Sequence, residues 1–241
     1  MKTTLRIAHC SDIHLDSNAP GTSGNDTLRH AFAAALADMQ AHRPDIMLLA
    51  GDLFDSNRPT DATVHWAMDI LGAQPFPVVI IPGNHDCMEP SGVIRRFDFN
   101  SIPNVRMLAA PDGEIAFLPE LGTAVWGKGM VEHNRTYRPL AGCPERPEGV
   151  RWYLGMGHGL FVPHGGDTDR SSPIHMCEIE TNPCDYLGLG HHHAAMELVT
   201  DHSAAAYSGS CTDNIGRGRS YVIVDLGLAN VARVGIHVVG T

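Results

Sequence analysis

Ile46-Met47-Leu48-Leu49-Ala50-Gly51-Asp52-Leu53-Phe54-Asp55 and Val78-Val79-Ile80-Ile81-Pro82-Gly83-Asn84-His85-Asp86 follow one pattern: a short apolar run, a glycine, then side chains that bind metals. Three other stretches end an apolar run on such side chains, the last two through a glycine. Ile7-Ala8-His9-Cys10 leads into Asp12-Ile13-His14, Trp152-Tyr153-Leu154 into Gly157-His158, and Tyr186-Leu187-Gly188-Leu189 into Gly190-His191-His192-His193. In sheets built from β-α units, ligands collect at the carboxyl ends of the strands. Five such ends carrying Asp, Asn and His predict one crevice lined with metal ligands.

The segments between the runs support that reading. Leu28, Phe32, Leu36 and Met39 recur at helical steps, so 26–42 is expected to be an amphipathic helix capped by Asn25 or Asp26 and ended by Pro44. A second helix is expected over 60–73, with Val64, Met68 and Leu71 on one face. Strand-helix-strand-helix-strand implies a parallel sheet by the crossover rule. From 104 onward the texture is short strands joined by turns: 105–108, 114–118, 123–126, 195–200, 204–207, 221–226 and 231–239. Two sheets packed face to face with helices outside accommodate both halves. No linker separates them and both supply ligands, so one domain is expected over 1–241.

The donors are carboxylate, amide and imidazole, too many for one ion. Closed structural zinc sites use four ligands, often thiolates in paired spacing. A mixed oxygen and nitrogen set suits Mn, Fe or Zn better than an all-oxygen magnesium site. Two such ions about 3.5–4 Å apart clamp the attacking and leaving oxygens of a phosphoryl displacement and lower the pKa of bound water. Taken singly, each motif has a plainer reading, since Asp, Asn and Gly favour turns and a three-histidine tract binds metal casually. The five together read as a two-metal hydrolase.

The order DxH, GD, GNHD, H, GHxH resembles the calcineurin-like metallophosphoesterase superfamily. Ser11-Asp12-Ile13-His14-Leu15, Ala50-Gly51-Asp52-Leu53-Phe54-Asp55, Asp185-Tyr186-Leu187-Gly188-Leu189-Gly190-His191 and Tyr207-Ser208-Gly209-Ser210 resemble its SbcD-type DNA-repair exonuclease branch, phosphoesterase domain only. The resemblance implies an α/β fold, a four-layer α/β/β/α sandwich of two mixed β-sheets flanked by helices. It also implies that Asp12, His14 and His193 hold one metal, Asn84, His158 and His191 the other, with Asp52 bridging. A hydroxide between the metals would attack phosphorus. His85 would not ligate; it would face the scissile phosphate, stabilise developing charge and help the leaving oxygen depart. Asp86 would orient a ligand histidine as an outer acceptor, and His192 would point away from the metals. At Asp55, archaeal and eukaryotic nucleases often carry a substrate-facing histidine, so Asp removes one positive group.

The nuclease branch implies Mn-dependent phosphodiester hydrolysis of DNA, with Fe and Zn also suited to the donors. Charge opposes a large DNA cradle: 17 basic against 27 acidic residues leave a net charge of −10, and nonspecific DNA affinity comes from Lys and Arg on phosphates. A phosphodiesterase for nucleotides or another small diester is the alternative. A catalytically silent scaffold is disfavoured because His85 and every ligand are kept. Arg217 and Arg219, in a Gly-rich loop, are the expected phosphate contacts; the Arg95-Arg96 and Arg135/Arg138 clusters read as solvated surface. His133 and His164, in long loops, are secondary substrate candidates. The repair nucleases continue into a DNA-capping domain and a segment that binds an ABC-type ATPase. Neither follows the last expected strand, so that partner is not expected; the two early helices offer a dimer surface. No apolar stretch approaches the roughly 20 residues that span a bilayer, and no secretory core is present. Six cysteines without paired spacing suggest reduced thiols and a cytoplasmic chain.

Overall fold

Ile46–Ala50 is buried at every position, and its side chains alternate between two separate cores: Ile46, Leu48 and Ala50 enter one, Met47 and Leu49 the other. Two-residue periodicity in a strand covered on both faces produces this split. The computed structural model describes residues 3–17, 25–200, 203–212, 216–228 and 230–240. In chain order these form β1 (Thr4–Cys10), α1 (Asn25–Ala41), β2 (Ile46–Ala50), α2 (Asp61–Gly72), β3 (Val78–Ile81), α3 (Val93–Arg96), β4 (Val105–Met107), β5 (Glu114–Leu118), β6 (Thr123–Gly127), β7 (Trp152–His158), β8 (Leu160–Val162) and β9 (Pro173–His175). The remaining elements are α4 (Met176–Glu180), β10 (Tyr186–Gly190), β11 (Met196–Val199), β12 (Ala204–Tyr207), β13 (Ser220–Gly227) and β14 (Asn230–Val238).

The first sheet has the order β14-β13-β1-β2-β3-β4, and the second β11-β12-β10-β7-β6-β5. Strands β1 to β4 are parallel, while β13 and β14 return antiparallel to close one side of that sheet. The second half is more parallel than its short-strand texture suggests. β6, β7, β10 and β12 run parallel, and only β5 and β11 are antiparallel edges.

Three cores separate four layers. α1 and α2 cover the outer face of the first sheet through Leu28, Phe32, Leu36, Val64, Ala67 and Leu71. Thr60 caps α2 by accepting the Thr63 amide; the residue before α1 lies outside the described ones. The inter-sheet core joins Leu5, Ile7, Leu48 and Val79 to Val125, Leu154, Met156 and Tyr186. The fourth layer departs from a full helical cover. Over Trp126, Tyr153, Leu187 and Tyr207 lie Leu140, Ile174, Cys184 and Ile179, so loops and the five-residue α4 do the covering. Cys143 and Cys184, far apart in sequence, bring their sulfurs to 3.9 Å there as free thiols. Among the described residues no helix is long and apolar enough to cross a membrane.

His9 is fully buried on β1, its Nδ1 2.8 Å from the Tyr186 hydroxyl on the facing sheet. Burial depresses its pKa to about 3. The folded protein therefore keeps His9 neutral where the unfolded chain, titrating near 6.5, takes up a proton. This stability is complete above pH 6.5 and is lost progressively towards pH 3, at about 1.4 kcal/mol per pH unit. In urea unfolding, His9→Gln is expected to cost more at pH 7.5 than at pH 5.0; a pH-independent difference would contradict this account of His9.

Candidate metal centre

The carboxyl ends of β1, β2, β3, β7 and β10 meet at one point between the sheets. His158, the last residue of β7, donates from Nδ1 to the Ala50 carbonyl at the end of β2, 2.8 Å away. That bond fixes the tautomer and leaves Nε2 as the outward nitrogen. His158 Nε2 lies 3.0 Å and His191 Nδ1 2.8 Å from Asn84 Oδ1. On the other side, His14 Nε2 and His193 Nε2 are 3.2 Å apart, with Asp12 Oδ1 3.6 Å from His193 and 4.0 Å from His14. Asp52 stands between the two groups, its Oδ2 3.3 Å from His158 Nε2 and 3.9 Å from His14 Nε2. Its Oδ1 accepts the His85 amide at 2.8 Å.

These spacings suit coordination. Ligands about 2.0–2.2 Å from one ion stand roughly 3.0–3.4 Å from each other. Most of the separations fall close to that range; those from His14 to Asp12 and Asp52 are wider. Asp12, His14 and His193 form one cluster able to hold a metal, and Asp12, Asp52 and His158 another. Imidazole nitrogens converging on carboxylate and amide oxygens, those of His14 and His158 on buried side chains, make the donor set fit a cation. His14, Asp52 and His85 are equally close, so distance alone would admit His85. Its Nδ1, however, is 2.8 Å from the Asp55 carbonyl, which can only accept.

The backbone is bent to make this convergence. Asp12, His14, Asp52 and His191 all have left-handed φ, at 55°, 52°, 53° and 95°. Non-glycine residues persist there only where their surroundings over-determine them. The surroundings here are hydroxyls and one carboxylate. Ser11 donates to Asp12 Oδ2, Ser210 Oγ to the Asp12 carbonyl at 2.6 Å, and Thr212 Oγ1 to the Ile13 carbonyl at 2.8 Å. The Tyr207-Ser208-Gly209-Ser210 stretch is thus a brace for the first ligand loop, a role its sequence alone did not disclose. The His191 amide closes on the Asp12 carboxylate at 3.0 Å.

Asp86 does not orient a histidine. Its oxygens accept the Gly83 and Phe54 amides at 2.7 and 3.2 Å, tying the second and third ligand loops together. Burial, then Asp52, raises its pKa to about 6. The carboxylate that faces the far nitrogen of an expected ligand histidine is Asp55, whose Oδ1 lies 3.1 Å from His14 Nδ1. The alignment is poor for a hydrogen bond, so the contact is an ion pair in character. Burial disfavours the His14 cation, but Asp55 and Asp52 outweigh it and raise its pKa. Burial likewise opposes charge on His158, and Asp52 overrides it, lifting that histidine to about 9. His191, with less compensation for burial, falls to about 3.

The other candidates divide cleanly. His192 turns its Nδ1 to the Ala194 carbonyl at 2.8 Å. His133 reaches the centre, its ring 5.7 Å from that of His191. His164 does not; it pairs with Glu180 at 2.9 Å on the surface. Arg217 lines the cavity beside the centre and Arg219 does not, while Arg170, unmarked in the sequence, does. Arg96 and Arg135 pair with Asp61 and Asp169, and Arg95 donates to the Met88 carbonyl.

The sequence pattern of the calcineurin-like phosphoesterases matches residues 5–195. An uncharacterized metallophosphoesterase, YhaO of Bacillus subtilis, is 27% identical over 234 residues, covering 87% of this chain and 54% of the relative. The SbcD subunit of the SbcCD nuclease from Staphylococcus saprophyticus is 25% identical over 233 residues, covering 86% of this chain and 60% of the relative. The chain therefore spans somewhat over half the length of these curated relatives. A solved Thermus thermophilus structure superposes with a TM-score of 0.62 at 13% identity, covering 99% of this chain and all of that one, a likeness of fold.

Gly51 has φ 89°, and a Cβ there would overlap the His158 ring and approach the Gly83 Cα at 2.9 Å. Gly51→Ala is expected to displace His158 and weaken metal binding by about 10–100-fold, the range for disturbed ligand support. Metal content after dialysis checks this; unchanged content would show that the close approach is not required.

Proposed function

From a chain that belongs to the calcineurin-like phosphoesterase family, we propose a dinuclear-metal-dependent phosphodiester hydrolase. The observation that carries the proposal is the Asp52 carboxylate set between two donor groups at coordination spacing. Asp12, His14 and His193 are assigned to one ion, Asn84, His158 and His191 to the other, and Asp52 to both. Mn is the proposed metal, and Fe or Zn would suit the same donors. When bound, such ions polarise phosphoryl oxygens and lower the pKa of a water.

The chain's own residues then do three things. Asp52 is held as a carboxylate: burial opposes this, and His158, His14 and His85 overcome it. The left-handed ligand positions hold the donors in place beforehand, so little reorganisation remains for substrate binding. His85 is the acid-base candidate. Because its Nδ1 proton is given to the Asp55 carbonyl, Nε2 is the atom that gains or releases a proton. Its side chain is 42% exposed beside Asp55 and its ring lies edge-on to His14 at 4.7 Å, a place open to substrate. A protonated Nε2 would stabilise charge on the phosphoryl oxygens and supply a proton to the leaving oxygen.

For substrate, short nucleic acid or a nucleotide-like diester is favoured over long duplex. The overall charge is −10, and Arg6, Arg135 and Arg146 are engaged with acidic partners.

His85→Ala is expected to lower Mn-dependent turnover of bis-p-nitrophenyl phosphate by about 10²–10⁴-fold, the usual worth of a positioned acid-base group, without loss of metal. Turnover equal to that of the parent would remove His85 from the reaction. Single-stranded and duplex DNA assayed in parallel distinguish a nuclease from a small-diester hydrolase.

A further inference from the structure

We propose that the cavity beside the ligand cluster is a subsite for a second phosphate group of the substrate, held by Arg170 and Arg217 while the scissile phosphate lies among the metal ligands. The inference rests on the hydrolase reading only in naming which phosphate is cleaved. The cavity measures about 290 Å³ and is lined by Leu160, Arg170, His191, His192, His193 and Arg217. His191 and His193 belong to different ligand groups, so the cavity opens directly from the centre. Two guanidiniums on its wall supply forked donors that match phosphate oxygens. In a chain with net charge −10, two arginines among the six residues that line a cavity next to the centre favour a substrate with more than one anion.

Arg170 is placed by construction. Its loop leaves β8 and returns at β9, where the Ser172 carbonyl accepts the Leu160 amide at 2.9 Å. Ser172 is fully buried with φ 52°, and its amide donates to the Asn134 carbonyl at 3.0 Å. The Arg135–Asp169 pair ties the same two loops again. Among the described residues the Arg170 guanidinium makes no hydrogen bond or ion pair, and it lines the cavity together with His191. The loop is pinned on both sides of this arginine while its charge stays available to a ligand.

The test is calorimetric titration of the Mn-reconstituted protein with thymidine 5′-monophosphate, thymidine 5′-diphosphate and thymidine 3′,5′-bisphosphate. A second phosphate is expected to tighten binding about tenfold or more, since charge-assisted pairs are the strong hydrogen bonds. If the diphosphate carries the gain, the second phosphate is joined through phosphorus, as in a nucleoside diphosphate. If the bisphosphate carries it, a sugar separates the phosphates, as in an oligonucleotide. The Arg170→Ala/Arg217→Ala double variant, altered only at exposed positions, is expected to bind all three within about twofold of each other, by loss of those same pairs. Equal binding of the three by the parent, or an advantage that survives in the double variant, would overturn the subsite. Hydrolysis of bis-p-nitrophenyl phosphate is followed in parallel. A parent that prefers the second phosphate but never turns over the dye ester would refute the hydrolase and leave the subsite as a binding site.

Discussion

The hydrogen bond from His158 Nδ1 to the Ala50 carbonyl, made between the ends of strands from opposite sheets, is the contact on which the centre depends. It brings β7 against β2 and turns Nε2 towards Asn84 and Asp52 in one step. It also sets a steric condition on the chain around it. A side chain at Gly190 would collide with the Ala50 carbonyl and come within 2.7 Å of His158 Nδ1. Gly51 and Gly190 are therefore spaces kept empty so that two sheets can close on a shared set of donors. Burial supplies the driving force, because the inter-sheet core lies directly behind these strand ends.

Convergence has an electrostatic cost that the site meets locally. Asp12 and Asp52 are buried with four histidines around them, and isolated buried charge is expensive. The carboxylates hold His158 and His14 towards the cationic form, while His191 and His193 are pushed by burial towards the neutral one. A divalent cation bound here would displace those protons, so binding and protonation are linked. The Asp12 loop is secured by the hydroxyls of Ser210 and Thr212, while the Asp86 carboxylate accepts the Phe54 and Gly83 amides and ties the next two loops together.

Much of this was legible in the sequence, for definable reasons. β2, β3, β5 and β12 form over the expected residues because each is an apolar run bounded by turn signals. All seven expected ligands reach one place, because a motif at a strand end is positioned by the sheet rather than by its neighbours in sequence. What escaped notice depends on contacts between distant segments. Asp55 gains its meaning from His14 across two loops, and Ser210 and Thr212 from the backbone of Asp12 and Ile13. Arg170 sits in a stretch without periodicity, placed only by Ser172 and Asn134. Asp86 beside His85 looked like a partner for imidazole, but the chain turns it onto amide groups instead. The parallel pairing of β7, β10 and β12 was hidden because short strands and glycine-rich turns look alike in either direction.

The central claim is two ions sharing Asp52, and anomalous diffraction at the Mn edge from crystals of the Mn-reconstituted protein tests it most directly. Two peaks about 3.5–4 Å apart on either side of the Asp52 carboxylate are predicted, one beside Asp12, His14 and His193 and the other beside Asn84, His158 and His191. A single peak, or peaks that leave Asp52 without a metal, would contradict it.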